Sequence, residues 1–218
     1  MDSRFPRDLL VLIIVIGLFG PGCGHRKRGS PTDGGVANGE YANSFFGFAL
    51  PVPNGWTVAS QEALDAAAKG GKLAETADER LKASLKSTKK KMYTLVMFSE
   101  HPFGAAVPVN PSIVCAATTL NNLPAIRTGR DYLSTMREVV QRSNTGLQSR
   151  GLPQETQLGG CSFFRVQYGL GTPSGIMVEQ AYYATVSSDR YALAFIVSGG
   201  SKDDLARVEA KLKNLRFQ

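Results

Sequence analysis

Histidine is nearly missing from this chain: among 218 residues only His25 and His101 are histidines. That leaves little for a His-based metal centre or a histidine-dependent nucleophile, since both need imidazoles gathered by the fold. Cysteine is almost as rare. Cys23, Cys115 and Cys161 include no pair at zinc-binding spacing. Long apolar runs are confined to the N-terminus, and after residues 9–19 nothing is continuous enough to span a bilayer. An acidic excess is lacking too, because 25 Lys and Arg stand against 18 Asp and Glu, a formal charge of +7. Such a balance suits anionic lipid head groups or acidic envelope polymers. Dispersed surface lysines would produce the same number. Nucleic acid fits poorly, since aromatic stacking residues do not interleave with the lysine clusters.

What the N-terminus does have is an export pattern. Arg4 and Arg7 form a charged start, residues 9–19 form an apolar run, and Gly20 and Gly22 lead to Cys23. The run falls short of the roughly 20 residues that span a bilayer comfortably. This segment resembles a bacterial lipoprotein precursor, in which a signal peptidase cuts before a cysteine bearing a diacylglyceryl group on its sulfur. The resemblance implies a signal peptide over residues 1–22, a lipid with palmitate-type chains on Cys23, and a membrane-anchored place in the cell envelope, facing periplasm or exterior. Gly20 stands where such signals usually carry Leu, and Pro21 follows it. Arg26, Lys27 and Arg28 put three charges after the apolar run, which by the positive-inside rule opposes translocation. An uncleaved anchor and a secreted domain cut near Gly22 therefore stay open.

Residues 23–40 hold few large apolar side chains, so composition makes them a flexible tether before a single domain over residues 41–218. With Cys23 assigned to lipid, Cys115 and Cys161 remain, and an oxidising compartment would favour joining them. Cys115 lies in the apolar segment 113–118 and Cys161 opens the strand-like run 161–168, so neighbouring strands would permit the bond. Two buried thiols are the equal alternative.

Residues 41–56 read as a hairpin-like stretch with aromatic anchors and Pro/Gly punctuation. Helical patterns follow at 61–68 and 73–87, then β-rich runs at 92–99 and 112–120 around a loop at 100–111. Thr128 and Asp131 have capping-box spacing before a helix to about Arg142 that buries Tyr132, Met136, Val139 and Val140. Strand runs come at 156–158, 162–168, 176–186 and 191–197. Ser201 and Asp204 cap a last helix with Leu205, Val208, Leu212 and Leu215 on one stripe. Consecutive strands with short turns predict an α+β fold, an antiparallel sheet flanked by helices.

The order of these elements, with Tyr41-x-Asn43, Gly47-Phe48 and Pro53-x-Gly55-Trp56 at the start and Phe217 at the end, is similar to the PsbP-like α/β sandwich. That superfamily includes the extrinsic photosystem II protein and many bacterial lipoproteins. The resemblance implies a Pro-Gly-Trp turn that seats an aromatic ring in the core, and it brings no catalytic residue.

The chemistry that remains is sparse. Ser99-Glu100-His101 sets three reactive types side by side, but adjacent residues on a strand end point apart, and a solvated loop histidine is the simpler reading. Lys86, Lys89, Lys90 and Lys91 form the densest positive patch, either a solvated helix end or a contact for anionic lipid. The loop 100–111 is long, Pro-rich and apolar, and Phe103 and Val107 could present a docking surface or fold back as a lid. No cofactor and no metal site is expected. Three functions follow in order: a non-enzymatic envelope lipoprotein that docks a protein partner, a small-ligand or lipid-binding module, and a hydrolase built on His101.

Overall fold

The computed structural model describes residues 29–60, 63–64, 92–142, 146–171 and 175–218. Cys23, the export segment, most of the two helical patterns at 61–68 and 73–87, and Lys89, Lys90 and Lys91 lie outside these residues. Among the described residues, no helix is long and apolar enough to cross a membrane.

Two antiparallel sheets form the frame. The smaller contains β1 (Gly34–Ala37), β2 (Glu40–Asn43), β3 (Phe48–Pro51) and β12 (Arg216–Phe217), in the order β1-β2-β3-β12. The larger runs β4 (Thr57–Val58), β5 (Met92–Ser99), β6 (Ser112–Thr119), β11 (Tyr191–Gly199), β10 (Met177–Val186), β9 (Cys161–Gly171), β7 (Leu147–Ser149), with β8 (Gln154–Leu158) also paired to β9. Helix α1 (Gly129–Arg142) covers one face of the large sheet, packing on β7, β9 and β10. Helix α2 (Lys202–Glu209), a 3-10 turn (Ala210–Asn214) and the small sheet cover the other. An antiparallel α+β sandwich results, as the strand spacing predicts.

Alternation along the strands divides the core in two. Phe48, Phe163, Phe195 and Phe217 meet in tilted and edge-on pairs with centroids 5.5–6.0 Å apart, below the small sheet. Leu205, Val208, Leu212 and Leu215 are buried against them. Each fully buried Phe or Leu contributes about 1.5–3 kcal/mol of transfer free energy. On the opposite face Val166, Tyr168, Ala184, Ala192 and Ala194 lie under Tyr132, Leu133 and Val140 of α1. Tyr182 and Tyr183 do point to opposite faces, and helices meet both.

Capping chemistry starts both helices where the sequence predicts. Asp131 N donates to Thr128 Oγ1 at 3.2 Å while Thr128 N donates to Asp131 Oδ2 at 2.9 Å, a reciprocal box. Ser201 Oγ accepts from Asp204 N, and Gly200 N donates back to Asp204 Oδ2. Arg190, in the left-handed region at φ 62°, closes the turn from β10 to β11. Its guanidinium donates to the carbonyls of Leu120, Leu123 and Ile126 at 2.8–3.1 Å, fastening the connection from β6 to α1.

Several expectations are corrected. The folded region starts before residue 41, because Gly34–Ala37 pairs with β2 through an Asn38-Gly39 turn with both φ values positive. A backbone ladder needs no large side chains, so apolar content misses it. The last helix ends at Glu209, tightens to 3-10 geometry, and becomes strand at Arg216 once Leu215 turns extended. Val139 is only half-buried, while Leu133 is fully buried. Trp56 is half-buried too, packed on the core edge with Lys211 Nζ 5.3 Å from its ring.

Neither alternative for the two cysteines holds in full: Cys115 and Cys161 are not joined, and of the two only Cys115 is a free thiol. Cys115 is a free thiol sealed in the core on β6, and Cys161 opens β9. Strands β11 and β10 separate them, and three steps of about 4.8 Å put them well beyond the roughly 7 Å a disulfide allows. Cys161 is disulfide-bonded, but not to Cys115.

Candidate functional site

The loop at 100–111 joins β5 to β6 at the sheet end where Ser99 pairs with Ser112 and Ser112 with Ser198. Its neck is held at successive points. Glu100 N donates to Pro111 O at 2.9 Å, His101 N donates to Asn110 Oδ1 at 3.0 Å, and Asn110 Nδ2 donates to His101 O at 2.9 Å. Buried Ser99 donates its hydroxyl to the same carbonyl at 2.7 Å. Serine 99 therefore serves the His101 backbone, and this geometry aims no nucleophile at the imidazole.

A second fastening comes from α2. Arg207 Nη1 and Nη2 donate to Glu100 Oε1 and Oε2 at 3.1 and 2.6 Å, a two-point fork across the fold. Asp204 Oδ1 accepts from Arg207 Nε and Nη2, so the fork is itself oriented. Donation to the Glu100 and Asp204 carboxylates pushes the Arg207 pKa upward. Nearby, Val109 leaves only about van der Waals room over Gly200, where an added Cβ would lie 3.5 Å from Val109 Cβ.

The tip is a tight turn. Ala105 N donates to Pro102 O at 3.0 Å, and Gly104 at φ 86° supplies the third turn position. Phe103 occupies the second position and is 52% exposed. Pro102, Ala106 and Pro108 are exposed beside it, while Val107 is half-buried. Phe103 does not fold back over the core as a lid, since its ring stands exposed, and Val107 is half-buried. His101 is exposed at the neck.

Other polar clusters are tied into the framework. Arg165 and the Tyr183 hydroxyl both donate to Glu209 Oε1, at 2.8 and 2.7 Å, linking β9 and β10 to α2. Burial, and donation to that carboxylate, push the Tyr183 pKa up. Arg150 donates to buried Glu179 at 2.6 Å. Among the described residues, no group of three His, Cys, Asp or Glu side chains could hold a metal ion. Sequence reasoning missed Asn110, Asp204 and Arg207 as the supports of the loop. Only Asp204 with Arg207 carries a local signal, the helical i,i+3 spacing.

No family model matches the sequence, and no curated protein matches it. Among solved structures, the cyanobacterial PsbP of Synechocystis sp. PCC 6803 aligns over 85% of this chain and 96% of its own, with TM-score 0.50 and 13% identity. The fold is PsbP-like. A looser likeness, with TM-score 0.42 and 16% identity over 78% of this chain and 83% of the other, is to LpqN of Mycobacterium tuberculosis, described as involved in cell envelope biogenesis. Within the PsbP-like frame, the expected Pro-Gly-Trp turn is present: Trp56 N donates to Pro53 O at 3.0 Å and Gly55 has φ 75°. Asn43 explains the Tyr-x-Asn pattern, since its amide donates to Pro31 O and to the Tyr41 hydroxyl and accepts from Phe46 N.

Proposed function

We propose that the chain is an envelope lipoprotein anchored by lipid on Cys23, and that its PsbP-like domain is a non-catalytic module that docks a protein partner through the loop at 100–111. The observation that carries this reading is the neck of the loop, fixed by Asn110 and Arg207, with Phe103 held out in water. An aromatic side chain already ordered at a turn tip costs little further entropy on binding and supplies the kind of anchor that dominates interfaces.

The loop also lies at the end of the domain opposite the point where the chain enters it. The chain enters the domain at the small sheet, where Pro31 O is held by Asn43, and the turn after Asn43 packs on Tyr191 at the start of β11. The loop lies at the other end of the same strands. From Met92 to Ser99, seven steps of about 3.3 Å separate the two ends by about 23 Å.

The test combines two measurements on membranes from the native host. A Cys23→Ser variant loses lipid labelling and leaves the membrane fraction. A photo-crosslinking residue at 103 joins a protein that the same group at exposed Ala42 does not, and Phe103→Ala abolishes capture through position 106. Equal crosslinking from 103 and 42 would sink the docking reading.

One observation favours a second reading. Cys161 is disulfide-bonded, though not to Cys115, and a sulfur in a disulfide cannot carry a thioether. If Cys23 is that partner in the mature protein, the chain is a secreted or otherwise anchored domain without lipid on Cys23. The mass of the Cys161 peptide under non-reducing conditions separates the two.

A further inference from the structure

The end of the domain opposite the docking loop carries a feature that core packing leaves partly unexplained. The turn at 43–47 between β2 and β3 would ordinarily hold small or polar residues, yet it presents Phe45 and Phe46 in succession. Their rings meet edge-on at 4.9 Å, and both stand edge-on to Tyr191 at 5.4 and 5.8 Å. Tyr191 continues to Tyr93 at 6.5 Å. All four residues are half-buried: Phe46, Tyr93 and Tyr191 pack on the core edge, and each residue keeps part of its surface in solvent. Met92, the neighbour of Tyr93, is 47% exposed.

The same turn receives the chain from its N-terminal side. Asn43 holds Pro31 O at 2.9 Å and Phe46 N at 3.0 Å, so one buried side chain fixes both the incoming chain and the aromatic turn. Pro31 lies eight positions after Cys23. Fully extended, that stretch reaches at most about 28 Å, and as a relaxed coil about 16 Å. A domain held by lipid on Cys23 thus keeps this aromatic end within a short distance of the bilayer.

We infer that the end formed by Phe45, Phe46, Tyr93, Tyr191 and Met92 is a membrane-contacting surface that rests in the interfacial layer of the bilayer. The inference builds on lipid anchoring at Cys23. Tyrosine suits that layer because an apolar ring and a polar hydroxyl can each find their medium, and phenylalanine adds apolar area that the head-group boundary accepts. Arg26, Lys27 and Arg28 in the intervening stretch pull in the same direction, toward anionic head groups. The contact orients the domain and leaves the loop at 100–111 directed outward.

The native tryptophan makes the test internal. Trp56 directly precedes β4, whose Thr57 pairs with Ser99, so it reports the distal end. The lipidated full chain is placed in phosphatidylethanolamine–phosphatidylglycerol vesicles whose acyl chains are brominated near the glycerol end. Wild-type Trp56 emission should be unchanged by bromine. A Trp56→Phe, Phe45→Trp variant should lose about half its emission, since an interfacial side chain sits roughly 5–10 Å deep, within reach of the bromines. Met92→Trp in the Trp56→Phe background is the second reporter, at an exposed position that carries little packing. Equal quenching of distal and proximal reporters, or none from either, in a protein whose Cys23 peptide shows the lipid mass, overturns the contact surface and leaves the anchor standing. A Cys23 peptide without lipid overturns both.

Discussion

Gly129 sets how closely α1 approaches the sheet, and replacing it with Ala puts two effects of opposite sign in competition. A helix gains about 1 kcal/mol when Gly becomes Ala, and less in the first turn. Against this, a Cβ at 129 would lie 2.0 Å from the Ala184 carbonyl oxygen, 2.7 Å from its carbon and 3.2 Å from Thr185 Cα. All three atoms are backbone of β10, which is paired on both sides by β9 and β11 and cannot give way locally. The helix must withdraw instead, loosening Tyr132 and Leu133 from Ala184, Ala192 and Ala194. Overpacking of this kind costs about 1–3 kcal/mol and sometimes more, so the net effect is a loss of about 2 kcal/mol. For a domain of this size, that lowers the melting temperature by about 4–8 °C. Gly35→Ala is the matched control, because a Cβ there meets nothing within 4 Å and the backbone is not in the positive-φ region. Calorimetry of the three proteins decides the matter. A Gly129→Ala melting temperature at or above wild type would refute the claim that close approach to the β10 backbone dominates.

Two further stability predictions rest on named contacts. Arg190→Asn keeps a residue that tolerates positive φ but removes the hydrogen bonds to Leu120, Leu123 and Ile126; a loss of about 2–3 kcal/mol is expected, read as a lower urea midpoint, and a change within about 0.5 kcal/mol would show those bonds to be dispensable. Asp131 has its pKa lowered chiefly by the hydrogen bond from Arg127 N, aided by the bonds with Thr128, so its cap contribution is present above the unfolded carboxyl value near 3.9 and fades as pH falls through the lower folded value. Asp131→Asn should accordingly cost about 1 kcal/mol or less at pH 7, with a gap to wild type that closes in acid; a gap independent of pH would deny the carboxylate its role.

Composition and turn chemistry made most of the long strands' positions along the chain legible. The β-rich composition of residues 92–99 sets β5 to its residue bounds, and Thr128 with Asp131 announced α1 because capping is a local interaction. The misses are long-range or side-chain-poor. β1 contains only Gly34, Gly35, Val36 and Ala37, and its one sequence signal was the Asn38-Gly39 turn, which composition alone reads as tether. β12 and β7 are too short to show a period. Phe103 could be singled out because a long loop with an aromatic tip is unusual for its polarity. Its supports could not, since Glu100 and Arg207 are far apart in sequence and meet only through the placement of α2 beside β11. The cysteines failed as a pair for a similar reason: both segments read as strands, but nothing in either says that β10 and β11 lie between them.

The two ends of the domain make opposite demands on the stretch before Pro31, and its length can tell them apart. If the domain merely swings on a coil, a partner fixed in the same membrane meets Phe103 at an effective concentration set by that coil. Inserting Gly/Ser residues to make the stretch between Cys23 and Pro31 about four times longer would then lower capture about eightfold, from the roughly −3/2 power dependence on length. If the Phe45, Phe46, Tyr93 and Tyr191 end rests on the bilayer, the domain is positioned by that surface, and the outward height of Phe103 is set by the length of β5, about 23 Å. Capture from position 103 should then fall much less than eightfold on insertion. It should recover the coil-like dependence once Phe45 and Phe46 are both replaced by Ser. An eightfold loss in the otherwise wild-type domain would mean that the aromatic end does not hold it, and that the anchor alone brings the docking loop to its partner.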